Sequence, residues 1–366
     1  MERSYNFNAG PSALPLDVLK KAQSELTNFQ QTGMSVMELS HRSPEYEDVH
    51  NRAQRLLREL LAIPEQYDVL FLQGGASLQF TMVPMNFLNG GLGSYVLTGS
   101  WSKKALKEAE KLGKTSVAAS SEESNFDRIP ALSEIAIDKE ASYLHITSNN
   151  TIFGTQWQSF PEADVDLIAD MSSDILSRPL EIERFGLIYA GAQKNLGPSG
   201  VTVVIVRRDL LDKAPDNLPT MLDYRTHSKN NSLFNTPPTF AIYMLSLVLE
   251  WVKERGGVEQ IARINKQKAE LLYRVIDESD GFYKGHAEKS SRSLMNVTFT
   301  LPNDALTKQF LTEAKEKGFV GLNGHRSVGG CRASIYNAVP LESVEKLAEF
   351  MHQFQKKAVV KGNKTC

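Results

Sequence analysis

Lys194 sits in "GLIYAGAQKNLGPSGVTVVIVRR" (186–208), between two continuous apolar runs at 187–190 and 201–206. A lysine in a loop is ordinarily solvated. Apolar runs of this kind, however, are strands buried on both faces, and "NLGPSG" supplies the turn chemistry for a sharp reversal. A lysine at the end of a buried strand stands where open α/β sheets hold their ligands. Desolvation lowers an amine's pKa and frees its lone pair to attack a carbonyl, so the chemistry indicated is a Schiff base. Asp170 closes "DLIAD" (166–170). It also reads as an N-cap or turn residue. Because it ends the strand preceding the lysine strand, it is expected at the same edge of the sheet. A carboxylate there can hold a pyridine nitrogen protonated, through a charge-assisted hydrogen bond of roughly 1.5–3 kcal/mol. A Schiff-base lysine with an aspartate on the ring nitrogen is the pair that pyridoxal phosphate requires.

That cofactor carries a phosphate and a flat ring. "GGAS" (74–77) follows a strand and opens a helix, where free backbone N–H groups and the helix dipole favour an anion. Trp101 follows another strand end at "TGSW" and is placed to stack on a ring, although a half-buried core tryptophan has the same signature. The nucleotide-binding P-loop is excluded: it needs its glycines before the lysine and a helix after it, and here the glycines mostly follow and the next element is a strand. "HRS" occurs twice, at 41–43 and 325–327, in a chain with seven histidines. Arginine grips phosphate or carboxylate bidentately, and a neighbouring histidine adds a donor and, if protonated, charge. Two solvated surface pairs are the plainer alternative.

The elements that must position these residues alternate. "YDVLFLQGGAS" is a strand running into glycines, and 78–88 reads as an apolar helix. Residues 94–113 read as strand, turn and amphipathic helix, and 141–147 and 165–170 as short buried strands. The lysine strand follows. This order predicts an α/β fold with a mostly parallel sheet covered on both faces. The strand after Lys194 follows too short a loop for a crossover, so it runs antiparallel. A helix at 239–257 ends this block, and from about Val258 the pattern becomes that of a smaller α+β domain. The expected division is a large domain at 17–258 and a small one built from 1–16 and 259–366.

At 366 residues, 41% hydrophobic and 23% charged, the composition is that of a globular protein of about two domains. A formal net charge of −2 gives no basis for nucleic acid or an anionic membrane as partner. The N-terminus has no signal-peptide core, and no apolar run approaches the roughly 18 residues of a membrane span. Two cysteines, Cys331 and Cys366, make no disulfide framework and suit a reducing compartment. The basic tail "KKAVVKGNKTC" reads as frayed.

Taken in order, "NFNAGPS", "LQGGAS", "ADMSSDILSRP", "GAQKNLGPSG", "NTPPTF" and "HRSVGGCRASIYNA" resemble the phosphoserine aminotransferases. These are class V aminotransferases of the aspartate-aminotransferase-like (fold type I) pyridoxal phosphate enzymes. The resemblance runs from about residue 5 to residue 350. It implies that Lys194 is the Schiff-base lysine and proton carrier, that Asp170 pairs with the pyridine nitrogen and that Trp101 stacks on the ring. Thr151 is implied near the ring's phenolic oxygen, and Ala76, Ser77 and Gln193 at the phosphate. Asn235 and Thr236 are implied to reach that phosphate from a second subunit, making a homodimer. His41, Arg42, His325 and Arg326 match the cluster for the substrate's distal phosphate or glutamate's side-chain carboxylate, and Arg332 the arginine for the α-carboxylate. Some members carry arginine in place of Ser77, in a "GGGRGQF" loop, so phosphate binding here leans on backbone amides and a hydroxyl. The reaction implied is transfer of the amino group of glutamate to 3-phosphohydroxypyruvate, giving phosphoserine and 2-oxoglutarate by a ping-pong route in cytoplasmic serine biosynthesis. A phosphorylated hydroxythreonine of cofactor biosynthesis stays open as a second substrate. A cysteine desulfurase of the same fold needs a mobile nucleophilic cysteine, whereas Cys331 reads as a packed small residue. A non-catalytic scaffold would have lost Lys194 or Asp170.

Overall fold

A computed structural model describes residues 3–362 of the chain; Cys366 and the last residues of the basic tail lie outside the described residues. The core is a seven-stranded sheet in the order Tyr67–Leu72, Thr202–Arg207, Leu187–Gly191, Asp166–Asp170, Ala141–Thr147, Leu92–Leu97, Lys114–Ser120. All neighbours run parallel except Thr202–Arg207, which is antiparallel to both of its partners. The short loop after Lys194 therefore folds as its length requires.

The apolar runs alternate their faces with the period of a strand. Ile188, Ala190, Val203 and Ile205 pack in one cluster, covered by the helices Pro44–Leu61 and Thr239–Glu254. Leu187, Tyr189, Val204 and Val206 pack in the other, under the helices Gly75–Phe87 and Ser100–Ala109. The strand Lys114–Ser120 is not marked by the apolar pattern. It is the exposed edge of the sheet, with Val117 half open to solvent, and its polar residues interrupt any apolar run.

A third cluster joins Phe7 and Ala13 to the second half of the helix Gly257–Asp277, the strand Asn296–Thr300 and the helices Asp304–Glu316 and Leu341–Gly362. The N-terminal strand Tyr5–Asn6 pairs in parallel with Phe319–Val320. We propose on this packing that 1–16 and 259–366 form one domain and 17–258 the other. The tail is more ordered than its composition suggests, because its helix continues to Gly362. Among the described residues no helix is long and apolar enough to cross a membrane.

Lys268 marks a polar point inside the small-domain packing. Fully buried, it donates to the carbonyls of Ile335 (2.8 Å), Tyr336 (2.7 Å) and Val339 (3.2 Å). Burial pushes its pKa down to about 7, while the three carbonyl acceptors hold the ammonium in place. Lys268→Met leaves those carbonyls without donors and is expected to lower the unfolding free energy by about 3 kcal/mol. A urea titration coinciding with that of the parent would show that the carbonyls do not depend on this amine.

Candidate active site

The strand ends of a parallel sheet gather unpaired peptide groups and helix N-termini, and here they surround a cavity of about 530 Å³. It is lined by Ala76, Ser77, Trp101, Thr151, Asp170, Gln193, Lys194, His325 and Arg332, together with the N-terminal stretch Ala9–Pro11. A larger cleft of about 1050 Å³ opens at the opposite sheet edge. Its one deeply buried carboxylate, Asp166, is already paired with Arg207 and Lys213, so nothing there awaits a ligand.

Lys194 leaves the strand Leu187–Gly191 and is open only toward the cavity. Its Nζ donates to Thr151 Oγ1 at 2.8 Å and lies 5.8 Å from the centre of the Trp101 ring. Burial lowers its pKa to about 8, partly opposed by Asp170 and reinforced by Arg332. The free-base fraction therefore grows about tenfold per pH unit up to that value and saturates above it. The rate at which the cofactor-free protein captures pyridoxal phosphate is expected to follow this curve and level off above about pH 8. A rate still climbing toward the ordinary lysine value of 10.5 would mean that the amine is solvated.

Asp170 ends its strand as expected and is buried. Oδ1 accepts from the N–H of Ser172 at 2.9 Å and from its hydroxyl at 2.6 Å, which fixes the carboxylate plane. Burial raises its pKa; the two Ser172 bonds and Lys194 oppose this. Ser172, within "DMSSD", was not singled out as a site residue, although a serine two residues after an aspartate is an Asx-turn signal.

The helix Gly75–Phe87 starts inside "GGAS", three residues earlier than its apolar pattern suggested. Gly74 caps it at φ 86° with no side-chain cap, and its first turn holds no acidic residue. The first N–H groups of such a helix have no internal acceptor, and at Gly75 a side chain would meet nothing within 4 Å. This is a cradle for an anion, and it holds Ser77 with no arginine beside it. Trp101 Nε1 and Arg332 Nε are buried without partners. Together with a desolvated amine and a buried carboxylate, these donors fit a planar, phosphorylated, carbonyl-bearing cofactor, as pyridoxal phosphate is.

Arg332, on the strand Cys331–Ser334, reaches across to the Thr151 carbonyl at 3.2 Å and makes no ion pair among the described residues. His325 shares 2.7 Å with Ser327 Oγ, and the Ser327 N–H donates to Nδ1 at 3.3 Å. Nδ1 is thus the acceptor and Nε2 carries the proton. Its pKa is lowered by burial and then by Arg332, Arg326 and Lys104, so His325 offers a neutral donor instead of a second charge. Cys331 is fully buried and its thiol is pushed up to about 12, which removes it as a nucleophile.

Five candidate residues stay outside the cavity. Arg326 is exposed at its mouth, in the turn after His325. His41 and Arg42 precede the helix Pro44–Leu61, with His41 Nε2 buried and unpartnered. Asn235 and Thr236 lie in the loop before Thr239–Glu254, where the Thr236 carbonyl accepts from Gln73 at 3.4 Å. The N-terminal "NAGPS" carries no chemical signal of its own, yet it packs on the lysine turn. Ser12 donates its N–H to the Gln193 carbonyl (3.0 Å) and its hydroxyl to the Lys194 carbonyl (2.6 Å).

The sequence matches the class-V aminotransferase family over residues 4–347. It is 71% identical to the phosphoserine aminotransferase of Geobacillus kaustophilus, covering 98% of this chain and 99% of that one. A solved phosphoserine aminotransferase studied for radiation damage of its Schiff base is 65% identical, with a TM-score of 0.96 over 98% of this chain and 100% of that one. The PLP-bound phosphoserine aminotransferase of Trichomonas vaginalis is 39% identical, with a TM-score of 0.91 over 96% and 100%. A cavity that joins a desolvated lysine, a buried aspartate and an unpaired arginine, in a chain so closely related over its length, leads to one conclusion: the chain belongs to the phosphoserine aminotransferase family of class-V aminotransferases.

Proposed function

We propose that this enzyme moves the amino group of glutamate to 3-phosphohydroxypyruvate, forming phosphoserine and 2-oxoglutarate in cytoplasmic serine biosynthesis. The observation that carries the reading is Lys194. Its amine has a pKa lowered to about 8, is hydrogen-bonded to Thr151, and faces a cavity shared with Asp170 and Arg332. Bound there, pyridoxal phosphate supplies an aldehyde for the amine and a protonated ring that draws electrons from the substrate's α-carbon. Asp170, held by Ser172, keeps the ring nitrogen protonated. Thr151 holds the lysine amine in place and would offer its hydroxyl to the ring's phenolic oxygen. The amides of Gly75 and Ala76, the Ser77 hydroxyl and Gln193 would hold the phosphate, and Trp101 would stack on the ring. The free amine of Lys194 would serve as the base that takes the α-proton and the acid that returns it. Arg332 binds the α-carboxylate, which both amino acids share.

The distal acid group is left to His325 with Arg326, His41 and Arg42. We assign His41, Arg42, Asn235 and Thr236 to the cavity of a second copy. Both segments that carry them are flanked by exposed large apolar side chains: Met34 and Met37 beside the first, Met221 and Phe234 beside the second. Exposed apolar side chains beside functional segments favour an interface between copies. Light scattering should give the mass of two chains.

The direct test is the absorption spectrum of the purified protein titrated with phosphoserine. A yellow protein that bleaches with phosphoserine and glutamate, but not with serine, supports chemistry and specificity together. Absence of colour after adding pyridoxal phosphate overturns the assignment of Lys194. Colour without response to phosphoserine leaves the lysine in place and removes the substrate.

A further inference from the structure

Three segments of the site come from distant parts of the chain: the turn after Asp170, the turn holding Lys194, and the strand end that follows Arg332. They meet at one buried residue, Asn337. Its Nδ2 donates to the Leu176 carbonyl at 2.9 Å, and its Oδ1 accepts from Asn265 at 2.8 Å. Its own N–H donates to Oδ1 of Asn195, the residue after Lys194, at 3.0 Å. Asn195 Nδ2 in turn donates to the Ile175 carbonyl at 3.1 Å, and Asn265 to that of Ser177 at 3.1 Å. Leu176 is fully buried at φ 61°, a backbone state that a leucine holds only when its surroundings impose it.

The arm from Asn337 back to Arg332 is stiff. Ser334 N–H donates to the Phe7 carbonyl, Ile335 N–H to that of Met295, and Tyr336 Oη to that of Ala9, at 3.2, 2.8 and 2.7 Å. Lys268 holds the carbonyls of Ile335, Tyr336 and Val339 from the other side. The backbone between Arg332 and the junction is pinned by these bonds at Ser334, Ile335 and Tyr336, so a shift at Asn337 is carried to the guanidinium. Packed arrangements of this kind transmit displacement because interiors are as dense as crystals.

We propose that Asn337 is a positioning residue for transamination, setting the carboxylate-binding Arg332 in register with Lys194 and Asp170 through its bonds to Leu176, Asn195 and Asn265. The inference rests on the function proposed above. Asn337 does not line the cavity, and it acts through Arg332.

The test uses the cofactor-loaded enzyme and the spectral change on adding phosphoserine or glutamate as the binding signal. In Asn337→Ala both dissociation constants are expected to rise by the same factor, about tenfold, or about 1.4 kcal/mol. The factors match because the α-carboxylate is common to both ligands. In an Arg332→Ala background the same substitution is expected to change them less than twofold, since its route is gone. An equal loss in both backgrounds, or a lowered melting temperature with unchanged affinities, would show that the junction only holds the domains together. If Asn337→Ala does not fold, Asn265→Ala keeps the Leu176 bond and should weaken both ligands about threefold; unchanged affinities there overturn the proposal. A variant that loads no cofactor indicts the reading of Lys194, a result separate from either of these.

Discussion

Lys194→Ala is expected to yield a folded, colourless protein with transamination lost by a factor of at least about 10²–10⁴, the share that a positioned proton carrier supplies. The loss has two sources. The amine that captures the cofactor's carbonyl is removed, and so is the group that carries the proton from the α-carbon. Folding is spared because the side chain's one hydrogen bond is to Thr151 Oγ1, and a single neutral hydroxyl left facing a cavity costs about 1 kcal/mol. Gly10, whose backbone packs on the lysine stem, gains space and no strain. The measurement is single-turnover conversion of phosphoserine by the variant, with far-ultraviolet circular dichroism as the folding control. Turnover within tenfold of the parent would sink the role given to Lys194.

Arg332→Ala is expected to be the second most damaging change, acting on binding. The guanidinium is largely desolvated, makes no ion pair within the described chain, and has only the Thr151 carbonyl as acceptor. A carboxylate arriving there meets a charge that the fold has left unpaired. Truncating one partner of such a pair costs roughly 2–5 kcal/mol. KM should therefore rise by well over tenfold for glutamate and for phosphoserine alike, while the yellow colour of the loaded enzyme persists. Arg332→Lys should recover part of the loss, because an ammonium restores charge without the two-pronged geometry. A rise confined to phosphoserine would instead place the substrate's phosphate at Arg332 and reverse the two ends of the pocket.

Much of this site could be read from the sequence because its chemistry is carried by local signals. The runs flanking Lys194 are apolar at every position but Thr202, and only strands covered on both faces need that; the sheet duly buries Leu187–Gly191 completely. Asp170 and Lys194 fall at one edge because parallel strands end on the same side, and the short "NLGPSG" loop leaves the next strand no choice but to reverse. The glycines of "GGAS" foretell a helix start because a positive φ is cheap only for glycine. Residue identity also made the arginines and histidines recognisable as anion ligands.

Other features were decided by tertiary structure alone. The lowered pKa of His325 comes from its burial and then from Arg332, Arg326 and Lys104 lying near it, and no spacing within "HRS" contains that information. Ser12 bonds to the Lys194 carbonyl across 182 positions of sequence, and Asn337 meets Asn195 across 142. Hydrogen bonds between such distant residues leave no periodicity behind, since an asparagine is equally at home in a turn. The exposed edge strand Lys114–Ser120 was invisible for the opposite reason: half solvated, it carries no apolar run to announce it. Chain order and burial pattern thus determined the sheet, the lysine and its aspartate. The lowered pKa values, the single pocket shared by nine of the candidate residues, and the exclusion of the other five from it followed only from packing, because desolvation and charge proximity are properties of neighbours in space.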